Sequence, residues 1–330
     1  MSSSLPLTMN AAVLDHFGGP EALALRALPI PDLGPGEVMI RVEVAGVGSW
    51  DAEERAGGYA SYLGEPRFPY VLGWDGAGTV AAVGEGVDHV RIGDRVYAAV
   101  TPRPSGGGFY AEYAVAEAGY VALVPESLSV HEAGAMGWDA QTALSGLTAG
   151  LGLKAGETVL IFGASGGIGH MAVQLAARMG ARVFAVASGT DGVALAERLG
   201  ADAAVDGRRD DIVGAARAFA PGGLDAALLT AGGEAAERAL TAVRDGGRAA
   251  YPNGVHPKPV GRVAVAPQGY DGARGPEASA DLHRWIARGP FEVHVARTFA
   301  LDEIVEAHHM LARHHLGKLA VRPGSRSERS

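Results

Sequence analysis

In the second half of the chain, short apolar runs alternate with segments whose apolar residues recur at helical spacing. The runs 158–162, 182–187 and 224–229 predict buried strands. The segments 168–179 and 234–243, which follow two of these runs, predict amphipathic helices. This alternation predicts a parallel sheet with helices on both faces and a ligand site at the carboxyl ends of its strands.

The first half of the chain has a different pattern, in which short strands are separated by glycine turns. The apolar runs 11–14, 38–44, 78–84 and 95–100 predict a β-rich and partly barrel-like domain. The last part of the chain ends in a strand at 318–322 and is too short to form a core alone. We therefore expect it to rejoin the first domain, in an α/β protein with a doubly wound parallel sheet.

These patterns also give the domain limits that we expect. The β-rich domain takes residues 9–130 and 290–323, and the domain with the parallel sheet takes residues 131–289. Residues 1–8 are expected to form a flexible leader, and the polar residues 324–330 a disordered tail.

A glycine-rich turn, Gly163 to Gly169, lies between the strand 158–162 and the helix that follows it. Glycines in this position allow a sharp turn and the close approach of a pyrophosphate, whose charge the helix N-terminus stabilises. We therefore expect a nicotinamide nucleotide to bind the chain at Ser165, Gly166, Gly167 and Ile168.

The same turn also fits the loop of short-chain dehydrogenases, which use a tyrosine followed four residues later by a lysine. No tyrosine of this chain has a lysine at that spacing. The turn also follows more than 150 residues of chain, whereas that family begins with its nucleotide-binding strand. The sequence therefore disfavours a short-chain dehydrogenase.

Composition narrows the classes of partner. The formal net charge is −9 and no cluster of lysine or arginine appears, so a nucleic-acid partner is not expected. The chain has no cysteine, which excludes disulfides and cysteine-ligated zinc and fits a cytoplasmic location. We expect no membrane segment, because the weakly charged stretch 133–153 contains five glycines and several polar side chains.

The second strand of the parallel sheet ends at Ser188, where NAD-specific sites place an acidic residue for the ribose hydroxyls. A serine does not repel a 2′-phosphate, so the sequence favours NADPH over NADH. Arg208 and Arg209 follow the third strand and are candidates to bind that phosphate. The alternative is that they form a solvated basic pair beside Asp206.

An ordered series of motifs extends over nearly the whole chain. It consists of MNAAV at 9–13, FGGP at 17–20, GEV at 36–38, AGV at 45–47, GWDGAGTV at 73–80, VGEGV at 83–87, GDRV at 93–96, GFYAEY at 108–113, the turn at 163–169 and GK at 317–318. Together the motifs resemble the zinc-independent, zeta-crystallin-like quinone oxidoreductase branch of the medium-chain dehydrogenase/reductase superfamily.

The resemblance implies a GroES-like catalytic domain built from both chain ends, a Rossmann domain in the middle and an active cleft between them. It also implies an NADPH-dependent oxidoreductase, commonly a homodimer, that reduces quinones or other conjugated carbonyls. Two alternatives stay open at this point. One is an enoyl or alkenal reductase that acts on a C=C bond, and the other is a family member that binds the cofactor with little or no turnover.

Relatives that contain zinc carry a catalytic cysteine where this chain has Gly48 and a histidine where it has Trp74. The resemblance therefore implies that no zinc ion is bound. Without a Lewis acid, reduction of a simple ketone is harder, whereas a conjugated acceptor spreads the negative charge onto a distant oxygen. The protein's task is then mainly to orient the nicotinamide against the acceptor.

The resemblance also assigns candidate site residues. Tyr59 is the first candidate for the proton donor and Tyr62 is the second, with aromatic packing as the alternative role. Trp50, Trp74 and Trp138 are candidates to shape the acceptor pocket, with buried packing as the default role for each. Further contacts to the cofactor are expected at Thr142, Ser188, Arg208, Arg209, Ala231, Gly232, Tyr251, Asn253 and Lys318.

Three positions on the cofactor side depart from the family's pattern. The asparagine that usually follows the AGV motif is absent, because the chain continues with Gly48, Ser49 and Trp50. The lysine and the tyrosine that the family places near the 2′-phosphate correspond to Gly192 and Gly207. We therefore expect Arg208 or Arg209 to supply the missing contacts.

Overall fold

A computed structural model describes residues 5–63, 67–100 and 107–324, except for the side chains of residues 62 and 63. The chain divides into two compact units. The first comprises Met1–Trp138, Arg274–Ser279 and Val295–Ser330, and the second comprises Asp139–Ala273 and Ala280–His294. The first unit thus extends past the expected limit at residue 130, and the sequence did not predict that residues 274–279 would join it.

The first part of the chain folds mainly into short strands separated by glycine turns. Its elements are β1 (Thr8–Leu14), β2 (Leu23–Pro29), β3 (Glu37–Val47), α1 (Ser49–Arg55), α2 (Ala60–Leu63), β4 (Tyr70–Val71), β5 (Asp75–Val83), β6 (Arg95–Ala99), β7 (Tyr113–Glu117), β8 (Val121–Leu123) and α3 (Val130–Gly134). Strand β1 begins at Thr8, the last residue of the expected leader, and residues 1–4 lie outside the described part.

In the second part of the chain, strands and helices alternate. Its elements are α4 (Gly137–Ser145), a π-helical turn (Gly146–Gly150), β9 (Thr158–Phe162), α5 (Gly167–Arg178), β10 (Arg182–Ala187), α6 (Gly189–Arg198), β11 (Ala203–Asp206), α7 (Ile212–Phe219), β12 (Leu224–Leu229), α8 (Glu234–Leu240), β13 (Val243–Pro252), β14 (Gln268–Tyr270) and α9 (Pro276–Ile286). The helix predicted to reach residue 243 ends at Leu240, because Val243 already begins β13.

The chain closes with β15 (Val295–Ala300), α10 (Ile304–Met310) and β16 (Lys318–Arg322). Short 3₁₀ turns lie at Pro20–Ala22, Ala118–Tyr120 and Leu301–Glu303. Of the expected tail, residues 325–330 lie outside the described part of the chain. No helix in the described ranges is long and apolar enough to cross a lipid bilayer.

The first unit contains two sheets. Strands β2, β1 and β4 form an antiparallel sheet in that order. The larger sheet has the order β15-β16-β3-β5-β6-β8, and β7 pairs with the long central strand β3. Apolar residues of both sheets, such as Val13, Ile40 and Val321, are fully buried in one core with Phe109 and Tyr110. This core holds α1 and the strand β5, which carry the aromatic and acidic residues described below.

The second unit is built on one parallel sheet with the order β11-β10-β9-β12-β13-β14. All five residues of β9 are buried, which explains the continuous apolar run at 158–162. The strand order reverses direction next to β9, so the carboxyl end of β9 is the topological switch point where such sheets bind ligands. The glycine turn follows β9 directly and therefore lies at that point.

Candidate functional site

The glycine turn has the backbone geometry that close approach of a phosphate requires. Gly163 has a φ of +80°, and Gly166 is the N-cap of the twelve-residue helix α5. A Cβ atom at Gly169 would overlap the carbonyl oxygen of Gly163, so only glycine fits where the helix crosses the turn. The first N–H groups of a helix have no partner within it and attract anions. The turn therefore fits the pyrophosphate of a nicotinamide nucleotide.

Ser165 connects the glycine turn to the end of the second strand. Its hydroxyl accepts a hydrogen bond from the backbone N–H of Ser188 at 3.2 Å, and the side chain is buried. A Cβ atom at Gly192 would lie 2.9 Å from the Cβ of Ser165, which is closer than side-chain atoms approach in proteins. A lysine at position 192, as in the family's pattern, would therefore require Ser165 to move.

Asp206 connects the turn after β10 with the turn after β11, which carry the residues predicted to bind the ribose and its 2′-phosphate. Its carboxylate accepts hydrogen bonds from the backbone N–H of Gly189 at 3.1 Å and of Arg208 at 3.0 Å. These bonds, with that of Arg208 the stronger, hold the pKa of Asp206 below its usual range. Arg209 lies 3.9 Å from the same carboxylate, and its side chain is 78% exposed. Both arginines thus belong to one hydrogen-bonded turn with their side chains at the surface.

The remaining predicted contacts of the second unit lie at or after strand ends. Ala231 and Gly232 follow β12, and a Cβ atom at Gly232 would overlap the carbonyl oxygen of Pro257. Tyr251 and Asn253 lie at the end of β13, and both side chains approach Gly269 of the neighbouring β14. The structure therefore brings these four residues to the same edge of the sheet as the glycine turn.

Thr142, a predicted contact to the cofactor, is buried against the segment that follows β13. The hydroxyl of Tyr270 donates a hydrogen bond to the carbonyl oxygen of Thr142 at 3.0 Å. A Cβ atom at Gly272 would lie 2.7 Å from the Thr142 hydroxyl oxygen, and Thr142 itself is buried. The segment after β14 therefore covers this threonine on one side.

In the first unit, the three tryptophans predicted to shape the acceptor pocket come together. We call Trp50, Trp74 and Trp138 the tryptophan cluster. The rings of Trp74 and Trp138 meet edge to face, with centroids 4.5 Å apart and an angle of 87°. The centroids of Trp50 and Trp138 are 6.2 Å apart, and Tyr59 packs on Trp74 at 5.4 Å. These distances are typical of favourable aromatic packing.

The tryptophan cluster replaces ligand atoms at the positions that bind zinc in the zinc-containing relatives. A Cβ atom at Gly48 would lie 2.5 Å from the ring of Trp50, so this ring occupies the space into which a cysteine side chain would project. Trp74 stands at the position of the histidine, and its indole N–H is a donor that cannot bind a metal. No three His, Cys, Asp or Glu side chains within the described ranges are grouped to hold a metal ion. These residues do not fit a zinc ion.

A buried carboxyl group that the sequence did not predict anchors the tryptophan cluster. Glu54 on α1 is 2% exposed and accepts a hydrogen bond from the indole N–H of Trp74 at 2.5 Å. It also accepts one from the hydroxyl of Tyr70, which is buried as well. Burial raises the pKa of Glu54 to about 7, although both hydrogen bonds lower it. Glu54 therefore changes its charge near neutral pH.

Two more buried carboxyl groups lie in this unit, together with Lys318. The carboxylate of Asp51 accepts the backbone N–H of Gly48 at 2.7 Å, and that of Asp75 accepts the N–H of Trp138 at 3.0 Å. Burial raises the pKa of both groups, and the charge of Lys318 opposes that effect.

Lys318 itself is 2% exposed, and its Nζ atom lies 4.7 Å from the centroid of the Trp50 ring. This distance is that of a cation–π contact. The structure thus places Lys318 with the tryptophan cluster of the first unit, and its contact to the cofactor stays a prediction.

Tyr59, the first candidate for the proton donor, is hydrogen-bonded within its own segment. Its hydroxyl donates to the carboxylate of Glu53 at 3.1 Å. Burial, and after it the charge of Glu53, raises the pKa of Tyr59 above its usual range. A general acid is most effective when its pKa lies near the working pH, so the environment weakens Tyr59 as an acid. The backbone of Tyr62 lies in α2, and its side chain lies outside the described part.

The sequence matches two families. Residues 34–126 match the alcohol dehydrogenase GroES-like domain, and residues 167–259 match the zinc-binding dehydrogenase family. An alcohol dehydrogenase of Geobacillus stearothermophilus is 35% identical over 263 residues, which are 72% of this chain and 76% of the relative. A quinone oxidoreductase of Sus scrofa is 41% identical over 56% of this chain and 54% of the relative. A 2-methylene-furan-3-one reductase of Solanum lycopersicum is 29% identical over 98% of this chain and 81% of the relative.

Solved structures give the same family. The quinone oxidoreductase from Coxiella burnetii matches with a TM-score of 0.82 and 27% identity, over 96% of this chain and 99% of that chain. A mycobacterial protein in complex with NADPH matches with a TM-score of 0.82 and 29% identity, over 96% and 100%. An NAD-dependent alcohol dehydrogenase matches with a TM-score of 0.87 and 28% identity, over 96% and 100%.

The GroES-like unit and the Rossmann unit with its glycine turn define an oxidoreductase that uses a nicotinamide nucleotide, and the predicted α/β fold is confirmed. The chain belongs to the medium-chain dehydrogenase/reductase superfamily, and its quinone oxidoreductase relatives fit the zinc-independent branch.

Proposed function

We propose that this protein is an NADPH-dependent reductase that transfers hydride to a quinone or related conjugated carbonyl without a zinc ion. The observation that carries the proposal is the tryptophan cluster, which fills the space of a metal ligand at Gly48 and puts an indole at the histidine position. No Lewis acid then polarises a simple ketone or aldehyde. A conjugated acceptor needs less help, because its negative charge spreads onto a distant oxygen that water can protonate.

The chain's own residues bind and orient the reactants. A bound nicotinamide nucleotide supplies the hydride. The backbone from Ser165 to Ile168 receives the pyrophosphate at the N-terminus of α5. The partly exposed rings of Trp50, Tyr59 and Trp138 offer a flat acceptor an aromatic surface that restricts its orientation, and the buried ring of Trp74 supports it. Quinone oxidoreductase relatives of Sus scrofa and Coxiella burnetii support this acceptor class.

We assign protonation of the reduced acceptor to water and an orienting role to Tyr59. The raised pKa of Tyr59 keeps its proton on the hydroxyl, which is already hydrogen-bonded to Glu53. Its ring continues the aromatic surface of Trp74. Tyr59 therefore serves the acceptor by packing rather than by acid catalysis.

The choice of NADPH rests on the ribose end of the nucleotide site. Ser188 carries no charge that would repel a 2′-phosphate, and the exposed Arg208 and Arg209 follow the neighbouring strand β11. A double variant, Arg208→Ala with Arg209→Ala, should raise the KM for NADPH at least about tenfold and leave the KM for NADH nearly unchanged. Arg217→Ala, an exposed arginine on α7, is the matched control. An equal rise in the KM for NADPH and for NADH would show that the two arginines do not bind the 2′-phosphate.

The function is tested by a panel of acceptors on one preparation whose zinc content is measured. We expect NADPH oxidation with 1,4-naphthoquinone, no interconversion of ethanol and acetaldehyde, and no loss of rate with a chelator. Turnover of ethanol together with bound zinc would contradict the proposal. Light scattering on the same preparation tests the homodimer that we propose from the family resemblance, and the mass of a single chain would contradict it.

One relative favours a second candidate function. The 2-methylene-furan-3-one reductase of Solanum lycopersicum matches 98% of this chain, and its name describes reduction of a conjugated furanone. An alkenal such as trans-2-hexenal in the acceptor panel separates the two functions. Turnover of the alkenal without turnover of the quinone would select a C=C reductase, and tight NADPH binding without any turnover would select a cofactor-binding protein.

A further inference from the structure

The orientation of Trp74 depends on one carboxyl group. Its indole N–H donates to Glu54, and its ring is 7% exposed between the rings of Tyr59 and Trp138. The second oxygen of Glu54 is bonded to the hydroxyl of Tyr70 on β4. An indole N–H has one hydrogen to donate and no other polar atom, so this bond fixes the rotation of the ring. Glu54 therefore sets the position of the central member of the tryptophan cluster.

We propose that Glu54 is a positioning residue for the acceptor, because its carboxylate fixes the buried ring of Trp74, which in turn supports the partly exposed rings of Tyr59 and Trp138 against which a flat conjugated molecule packs. This inference rests on the proposed function, in which the acceptor packs on the tryptophan cluster. Glu54 does not touch the acceptor and exchanges no proton with it. Its effect therefore appears in the affinity for the acceptor, whereas hydride transfer within the bound complex changes less.

Protonation of Glu54 weakens its hold on Trp74. A carboxylate accepts both donors with charge-assisted hydrogen bonds, whereas a neutral carboxyl group keeps one acceptor oxygen and presents an O–H on the other. The tyrosine hydroxyl can rotate to accept that O–H, but the indole N–H cannot. The N–H of Trp74 then bonds to an uncharged carboxyl oxygen, and this hydrogen bond is about half as strong as one to a carboxylate.

Several titratable groups lie around Glu54 and must be distinguished from it. Asp51 lies one turn earlier on α1, where burial and, less strongly, the charge of Glu54 raise its pKa. Tyr59, Tyr70 and Tyr110 sense the charge of Glu54 from the turn after α1, from β4 and from the segment before β7. Burial keeps the pKa of all three tyrosines above the usual range. Asp51 is then the other group that needs a control.

The test compares the wild type with Glu54→Gln from about pH 5.5 to about pH 8.5, a range that spans the titration of Glu54. One readout is the KM for 1,4-naphthoquinone at saturating NADPH. The other is the Kd of the same quinone without nucleotide, from quenching of tryptophan emission. In the wild type both constants should rise about fivefold as the pH falls through 7, with a smaller change in kcat. In Glu54→Gln both should stay high at every pH.

Two further variants keep the result interpretable. Trp74→Phe keeps an aromatic ring without the N–H, so it should bind the quinone more weakly and lose the pH dependence even if Glu54→Gln fails to fold. Asp51→Asn should keep the wild-type pH dependence, since its amide oxygen can still accept the N–H of Gly48. A pH response that survives in Glu54→Gln or Trp74→Phe, or disappears in Asp51→Asn, would overturn the proposal.

The two readouts also separate this inference from the proposed function. If the protein reduces no quinone, the proposed function fails, while the Kd measured by quenching still tests the role of Glu54. If quinone is reduced with the same KM by the wild type, Glu54→Gln and Trp74→Phe, the function stands and the positioning role is wrong.

Discussion

The substitution Glu54→Gln has an effect on stability that can be worked out from the structure. Burial raises the pKa of Glu54 from 4.5 to about 7, although hydrogen bonds from Tyr70 and Trp74 lower it. A carboxyl group with a raised pKa in the folded state is neutral in both states at low pH. As the pH rises above 4.5, the unfolded chain loses the proton first, so the folded state becomes less stable until the pH passes 7.

The magnitude follows from the difference between the two pKa values. A difference of about 2.5 in pKa corresponds to about 3 kcal/mol, most of which falls between about pH 5 and about pH 8.5. Glutamine does not titrate and keeps an oxygen and an N–H at the same place. Relative to Glu54→Gln, the wild type should therefore lose about 2–3 kcal/mol of unfolding free energy across that range.

Urea unfolding of both proteins at several pH values, followed by tryptophan emission, measures this difference. Titrating groups that do not sense the charge of Glu54 are common to both proteins and cancel in the comparison, whereas Asp51 senses that charge and does not cancel fully. Tyr70→Phe is the control, since removal of a hydrogen bond that lowers the folded pKa should extend the loss of stability to higher pH. Parallel stability profiles for the wild type and Glu54→Gln would refute the reasoning, because they would mean that Glu54 ionises equally in both states.

Three other predictions follow from individual residues. Gly169→Ala should weaken binding of NADPH at least about tenfold in calorimetry, because its Cβ meets the backbone of the glycine turn, whereas Gly119→Ala, which has open space, should not. Tyr59→Phe should keep kcat within about threefold, and a loss of about a hundredfold would instead identify Tyr59 as a general acid. Gly48→Cys should lower the unfolding free energy by about 1–3 kcal/mol, because the new side chain overlaps the ring of Trp50. The variant should bind no zinc, so stoichiometric zinc by elemental analysis would contradict the conclusion that these residues do not fit a zinc ion.

Much of the fold can be predicted from the sequence, because its strongest patterns reflect burial. The runs 158–162, 182–187 and 224–229 form strands with the predicted limits, since parallel strands covered on both faces need continuous apolar side chains. The glycine turn can also be predicted from the sequence, because only glycine permits its close contacts. Where the pattern is ambiguous, as at Val243 after α8, the predicted helix runs too far into a strand.

The contacts of the tryptophan cluster are harder to predict from the sequence. Glu54 belongs to an acidic segment that reads as the exposed face of a helix, and its burial depends on Tyr70 and Trp74, which lie 16 and 20 residues further on. Lys318 belongs to the GK motif at 317–318. Its neighbours in the structure are the ring of Trp50 and the carboxyl group of Asp75, which come from the other end of the chain. Local patterns do not contain such contacts, so the three-dimensional structure is needed to find them.

The position of the Trp50 ring over Gly48 also restricts the order in which substitutions could convert this site to or from a metal site. A cysteine at position 48 has no space while the indole of Trp50 is present. Replacement of Trp50 alone removes the ring that packs on the buried ammonium of Lys318. A cysteine at position 48 alone overlaps the ring, and loss of the ring alone supplies no ligand, so both substitutions are needed before a zinc ligand fits at this position.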